Sequence, residues 1–272
     1  AVSVNEDGSA KCFSCEAFFP DYKGNKTVVK TTQNYTKTLN INGGAFGALS
    51  DRNISVDTAK KYGVKATTIN GKITNHYYPY FNGHELTATK VRKKNKEFSW
   101  QGNAKEVGLF GENLFKAGGK FITLTEGECD AMAAYELMGS KWPAVSVRSG
   151  AKGGITDVKA NLEYLESFEN VVINFDNDKP GKEAAKEIAK LLTPGKAKIM
   201  TMPVDFKDAN DMLRQGRHAA YVSCFWEAKI YTPSGVLNLS DQFLAYQELR
   251  NNKVEAIPYP WSGLNKKLEG LR

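Results

Sequence analysis

The stretch K-F-I-T-L-T-E-G-E-C-D, Lys120 to Asp130, decides the fold. An apolar run (Phe121, Ile122, Leu124) stops at Thr125, and three acids follow, Glu126, Glu128 and Asp130. A run that suits a helix, Ala131 to Met138, comes next. The pattern predicts a buried strand, a tight turn at Gly127 and a helix. Acids at the carboxyl end of a strand sit where open α/β sheets place their ligands.

The same arrangement recurs downstream. Val171 to Phe175 reads as a buried strand that runs into Asp176-Asn177-Asp178-Lys179-Pro180-Gly181, with a helix over Lys182 to Leu192. Ala197 to Met202 reads as a further strand leading to Asp205, Asp208 and Asp211. Between the first two units, Ala144 to Val147 is a short strand. Arg148 to Gly154 is a loop whose glycines and cations suit either a phosphate cradle or plain flexibility. Asp157 to Phe168 fits a helix. Strands alternating with helices imply a largely parallel sheet, so the acids of three strand ends gather along one edge. Carboxylates gathered in this way repel one another and call for a divalent cation, with Mg²⁺ suited to few carboxylates, waters and substrate phosphates. Competing readings are weaker. Asp176-x-Asp178 with Gly181 and Glu187 partly matches an EF-hand loop, but Pro180 occupies a ligand place and a strand precedes it. A phosphatase with an aspartyl nucleophile leaves the Glu126 cluster without a role. Acids favoured by helix dipoles account for one cluster better than for three.

Ahead of the sheet, Ser55 is a candidate N-cap for a helix through Lys61, ended by Gly63. Ile73 to Phe81 and Glu85 to Val91 form a hairpin about a turn at Asn82-Gly83. Lys90-Val91-Arg92-Lys93-Lys94-Asn95-Lys96 lies close to Phe98 and Trp100, which suits a phosphate-rich ligand with bases to stack. A solvated hairpin edge protected by lysines is the alternative. Cys12-Phe13-Ser14-Cys15 has the spacing of half a structural zinc site, with a pair of free thiols or a redox pair as the alternatives. Lys23 to Asn40 reads as a polar linker. Leu239 to Asn251 is helical and lies between proline-bearing turns, as a helix joining two modules does.

The 272 residues suffice for one large or two medium domains, and 41% hydrophobic with 25% charged residues is ordinary for a globular protein. A net charge of +7 permits nucleic-acid binding. No apolar run approaches a membrane span and no signal peptide is visible, so no membrane partner is expected. The first residue is Ala1 rather than Met, so the natural start is expected upstream. Of the four cysteines only Cys12 and Cys15 are close in sequence, which argues against a disulfide framework and for a reducing compartment.

With these residues in view, the chain resembles a Toprim domain, in which a strand ends in a catalytic Glu and a later strand in D-x-D. It is more closely similar to the primase half of the bifunctional primase–helicases of short-tailed bacteriophages. The stretches that carry this are D-G-S-A-K-C-F-S-C-E from Asp7, K-V-R-K-K-N-K-E-F from Lys90, L-F-G-E-N-L-F from Leu109, T-E-G-E-C-D from Thr125, F-D-N-D-K-P-G-K from Phe175 and K-D-A-N-D from Lys207. The resemblance implies an α/β Toprim-type, largely parallel sheet with flanking helices, preceded by a smaller α+β subdomain and a partial zinc ribbon. It implies segments 1–35 (partial zinc ribbon and linker), 36–116 (basic subdomain), 117–230 (catalytic domain), 231–256 (linker helix) and 257–272 (truncated start of a helicase domain).

The implied activity is primer synthesis from ribonucleoside triphosphates on single-stranded DNA by phosphoryl transfer dependent on Mg²⁺ or Mn²⁺. Glu126, Glu128, Asp130, Asp176, Asp178 and Asp208 would form the catalytic patch, with Glu126, Asp176 and Asp178 as metal ligands. Lys90, Arg92 and Lys96 would contact nucleotide and primer. Cys12 and Cys15 would supply one ligand pair of a zinc ribbon; the other pair is absent here, so the zinc site is incomplete. The implied partners are the DNA template, the RNA primer, a replicative DNA polymerase and a helicase domain, in the cytoplasm of a bacterial host. The closing I-P-Y-P-W-S-G-L-N-K-K-L-E-G-L-R resembles the opening of a helicase domain, but no P-loop follows. A Toprim-type nuclease and a non-catalytic DNA-binding module of a ring helicase are the alternatives.

Overall fold

The computed structural model describes residues 2–4, 9–12, 18–19, 43–233, 239–251 and 257–268. The chain divides into two compact units, Ala1–Thr38 and Leu39–Arg272. In the first, β1 (Val2–Val4), β2 (Ala10–Cys12) and β3 (Phe18–Phe19) form an antiparallel sheet in that order. Cys12 ends β2, while Cys15 lies outside the described residues, as does the expected linker from Lys23 to Asn40.

The second unit opens with α1 (Val56–Lys61), where the Ser55 side chain accepts from the Thr58 amide. A four-stranded antiparallel sheet follows, β4 (Lys65–Ile69), β5 (Lys72–Asn82), β6 (Glu85–Lys93) and β7 (Phe98–Gly102), ordered as in the chain. The β5–β6 hairpin is the predicted one, but its turn falls on Gly83-His84. Asn82 still pairs with Glu85 because the register shifts after Tyr80, which moves the reversal one residue along.

The large sheet is built from β8 (Gly119–Thr125), β9 (Ala144–Ser146), β10 (Phe168–Asn174), β11 (Ala197–Ile199) and β12 (Lys229–Ile230). Its spatial order is β12-β11-β10-β8-β9, parallel throughout except for the antiparallel edge strand β12. Ile122, Thr123, Leu124 and Thr125 are all buried, because helices cover both faces of a parallel sheet. On one face lie α3 (Gly150–Ala160), α4 (Leu162–Glu166) and α5 (Lys179–Ala189), enclosing Ile122, Leu124, Val171 and Ile173. On the other lie α2 (Glu128–Leu137), α6 (Ala209–Arg214) and α7 (His218–Trp226). Their core is continuous with Tyr78, Tyr80 and Ala88 of the small sheet. The helices α8 (Leu239–Asn251) and α9 (Ser262–Leu268) close the chain.

Two further predicted features differ. Arg148 to Gly154 is not a loop throughout, because α3 already starts at Gly150. The buried Asp157 carboxylate accepts from the Arg148 and Ser149 amides and so holds the turn that leads into the helix. The helix expected over Asp157 to Phe168 is two helices broken at Asn161, and Phe168 already belongs to β10.

Candidate active-site cleft

The chain enters β8, crosses to β9 on one side, then returns to β10 on the other. The carboxyl ends of β8 and β10 therefore flank the point where the order reverses, and a crevice forms there. It is a cleft of about 610 Å³, lined by acids that follow the strands of the large sheet and by Lys90, Arg92 and Lys96 of the small sheet's hairpin, with Lys207 beside Asp176.

Glu126 leaves β8, and its Oε1 accepts from the Ala151 amide at the start of α3 (3.2 Å). Its Oε2 is buried with no hydrogen-bond partner among the described residues. Burial, reinforced by Asp176, holds the Glu126 carboxyl above the usual carboxylate range. Asp130 stands in the first turn of α2 and accepts from the Asn210 amide (3.1 Å). Asp176 follows β10 and pairs with Lys207 (2.6 Å). Asp208 caps α6 through one oxygen, which accepts from the Asp211 amide (2.7 Å). Oxygens of Asp130, Asp176 and Asp208 lie within 4.8 Å of one another.

Burial and the charges of Asp208 and Asp176 push Asp130 well above its ordinary range; Asp208 is raised chiefly by burial. This crowding of partly desolvated carboxylates, beside a free buried Glu126 oxygen, fits a divalent cation held by oxygens. The close approach of α5 to this centre requires Gly181. A Cβ there would lie 2.3 Å from the Asp176 carbonyl oxygen, an immovable backbone atom.

Asp178 has a different surrounding from Asp176. Its Oδ1 caps α5 by accepting from the Gly181 amide (2.9 Å). Glu128 is buried, and its Oε1 accepts from Tyr80 (2.6 Å) and from Lys90 (2.7 Å). Lys90 also donates to the Arg148 carbonyl (2.7 Å) and lies 4.8 Å from the Phe98 ring centroid. Arg92 and Lys96 line the cleft without a carboxylate partner in ion-pair range among the described residues. Half-exposed Phe98 lines the same cleft.

Sequence reasoning assigned no role to Arg52, Lys207 or Asn210. Arg52 reaches the cleft from a loop far upstream, and its buried Nε has no hydrogen bond among the described residues. No sequence pattern marks it. Lys207 was visible as a cation next to Asp208.

The raised carboxyls make a pH prediction. A group whose folded pKa lies above its unfolded value contributes stability that is complete below the unfolded value, about 3.9 for Asp. That stability is lost as pH rises through the folded value. In chelator, the melting temperature should therefore rise as pH falls from neutral toward the acidic range, and Mg²⁺ should flatten the trend. Asp130→Asn should weaken the trend in the ion-free protein. Calorimetric melting with and without Mg²⁺ checks this, and an identical slope in the variant would remove Asp130 as its source.

A family model described as Toprim-like matches residues 123–213. The DNA helicase/primase of Enterobacteria phage T3 is 32% identical over 249 residues, which cover 87% of this chain and 43% of that protein. The chain thus spans less than half the length of this relative. Among solved structures, the primase fragment of the bacteriophage T7 primase–helicase protein superposes with a TM-score of 0.62 at 31% identity, covering 83% of this chain and 93% of that one. A second T7 structure holds primase domains bound to an RNA/DNA hybrid and dTTP together with the lagging-strand DNA polymerase; its matched chain is 33% identical with a TM-score of 0.62, covering 69% of this chain and 94% of that one. The zinc-binding and RNA polymerase domains of Aquifex aeolicus primase share the fold at 16% identity and a TM-score of 0.53, over 74% of this chain and 58% of that one.

Proposed function

From the chain's membership of the phage primase–helicase family, in which it matches the primase part, we propose that it is a DNA primase core, joining ribonucleotides into short RNA on single-stranded DNA. One observation carries the reading: three carboxylates from separate elements converge within 4.8 Å in a cleft that Lys90, Arg92 and Lys96 also line.

Asp130, Asp176 and Asp208 would hold a divalent ion, Mg²⁺ or Mn²⁺, with Glu126 lining the same cleft and Asp178 two residues beyond Asp176. Bound there, the ion supplies positive charge that polarises a phosphoryl oxygen and orients the attacking hydroxyl. Arg52, Arg92 and Lys96 receive the triphosphate, and Phe98 offers a ring face to a base. The Glu126 carboxylate, which lines the cleft, takes the proton of the primer's 3′-hydroxyl as that oxygen bonds to the α-phosphorus and pyrophosphate leaves. Lys90 acts by holding Glu128. Segments 36–116 and 117–230 thus serve one reaction, the first with cations and the second with acids. The phage relatives support a setting in the cytoplasm of a bacterial host, beside a helicase domain and a DNA polymerase. Zinc, with Cys12 and Cys15 among its ligands, belongs to the longer parent protein.

Extension of a diribonucleotide on single-stranded DNA, with ribonucleotides and Mg²⁺, tests the reading. Lengthened, alkali-labile products are expected. Shortening of labelled DNA without nucleotides would replace the reading by a nuclease. DNA binding with neither extension nor Mg²⁺-dependent nucleotide binding would replace it by a binding module.

A further inference from the structure

His76 lies on β5, 3% exposed, and lines none of the cleft. Its Nε2 is 3.0 Å from Asp51 Oδ1, and its Nδ1 is 2.8 Å from the Tyr78 hydroxyl. That hydroxyl lies 3.2 Å from Cys129 Sγ. Of this chain Tyr78 and Cys129 line the cleft, and Asp51 adjoins Arg52, which also lines it. Asp51 directly precedes Arg52, and Cys129 stands between Glu128 and Asp130 in the first turn of α2.

We propose that His76 is a positioning residue, fixed as the neutral Nε2–H tautomer, which holds the Arg52 loop on one side and the first turn of α2 on the other. What it positions rests on the primase reading; its protonation state does not.

The tautomer follows from the partners. An ionised carboxylate only accepts, so the ring nitrogen facing Asp51 carries the proton. The Asp51 side chain is 43% exposed and lies 3.9 Å from the Arg52 Nε, so water and the guanidinium keep its carboxylate ionised. A second ring proton would add a buried cation to a pocket lined by four cations, Arg52, Arg92, Lys93 and Lys94, against one acid, Asp51. Nδ1 is therefore an acceptor, and Tyr78 donates to it. The Tyr78 oxygen then receives the Cys129 S–H. Every group in the chain thus has one role, and His76 sets the direction. On its far side the Arg52 loop is held by Asn210, whose Nδ2 donates to the Arg52 carbonyl (2.8 Å), while the Asn210 amide donates to Asp130. His76 and Asn210 hold the loop and the acid from opposite sides.

The two arms can be cut separately. An Asn amide reaches the place of Nδ1 and a Gln amide that of Nε2. His76→Asn keeps an acceptor for Tyr78 and releases Asp51. The KM for ribonucleoside triphosphate should rise about tenfold with kcat within about twofold, as for a lost ground-state contact. His76→Gln keeps Asp51 and releases Tyr78; kcat should fall about fivefold, with KM within about twofold. Identical kinetics in both variants, or changes that only follow melting temperature, would overturn the proposal.

Nitrogen-15 NMR of histidine-labelled protein supplies a readout independent of activity. His84 and His218 are exposed, so the buried ring is His76. It should show a protonated Nε2 and a bare Nδ1 at neutral pH; the opposite tautomer or an imidazolium would overturn the assignment. If the wild-type chain extends no primer, the primase reading fails on its own. The arms are then read by MgATP binding, where His76→Asn should weaken affinity about tenfold and His76→Gln should not; equal affinities would sink the proposal.

Discussion

Asp176→Asn protein will extend primers at less than about a thousandth of the wild-type rate, because a metal centre contributes several kcal/mol and about 4 kcal/mol is a thousandfold. Asp176 sits at the end of β10, and its carboxylate is one of three that converge. The amide keeps the size of the side chain and removes its charge. The cationic partner left behind, Lys207, has a side chain 58% exposed, so water solvates it and the fold is retained. Relief of repulsion against Asp130 and Asp208 also favours the folded state when no ion is bound. The expected result is an unchanged or slightly higher melting temperature with synthesis abolished. Extension at the wild-type rate would take Asp176 out of the reaction.

Lys90→Met should lower unfolding free energy by about 3–5 kcal/mol, since it leaves the buried Glu128 carboxylate without its cation. The side chains of Lys90 and Glu128 are 11% and 6% exposed, so solvent screens the pair little. The Tyr80 hydroxyl remains on Glu128 but carries no charge. The melting temperature should fall on the order of 10 °C. Adding Glu128→Gln to Lys90→Met should recover most of the loss, because the stranded charge is gone. Activity in the double variant then separates two roles. If Lys90 acts only by holding Glu128, extension returns with stability; if its ammonium touches nucleotide, extension stays low. Stability unaffected in the single variant would mean that the Lys90–Glu128 pair does not support the fold.

Much of this site was legible because it obeys local rules. The run Phe121 to Asp130 carries strand, turn and helix in adjacent residues, and the parallel sheet places its acids beside those after Phe175 and Met202. The short elements were not legible. Strands β4 and β7 and helices α6 and α7 had no distinct pattern, because Lys65–Ile69 and Phe98–Gly102 are half-exposed and polar. Their register comes from hairpin neighbours rather than from alternation. The start of α3 was misread because three glycines in Gly150–Gly154 disfavour a helix locally; Asp157, seven residues beyond Gly150, overrules them with its own carboxylate. Which acids converge was also hidden. Asp176 and Asp178 look alike in sequence, yet one joins the triad and the other closes the end of α5. That distinction depends on the direction in which a helix leaves a strand. Arg52 and Asn210 meet 158 residues apart, a distance at which spacing says nothing.

The hydrogen bond from the Asn210 amide to Asp130 closes a loop of 80 residues. A cation shared by Asp130 and Asp208 would span nearly the same loop, next to that bond. It would then act as a removable cross-link, tying together distant parts of the chain as a disulfide does but on the timescale of ligand exchange. Mechanical stiffness and chemical readiness would rise and fall together: without the ion, the hydrogen bond that ties Asp130 to α6 among the described residues is that of the Asn210 amide, beside the apolar packing of α2 on α6.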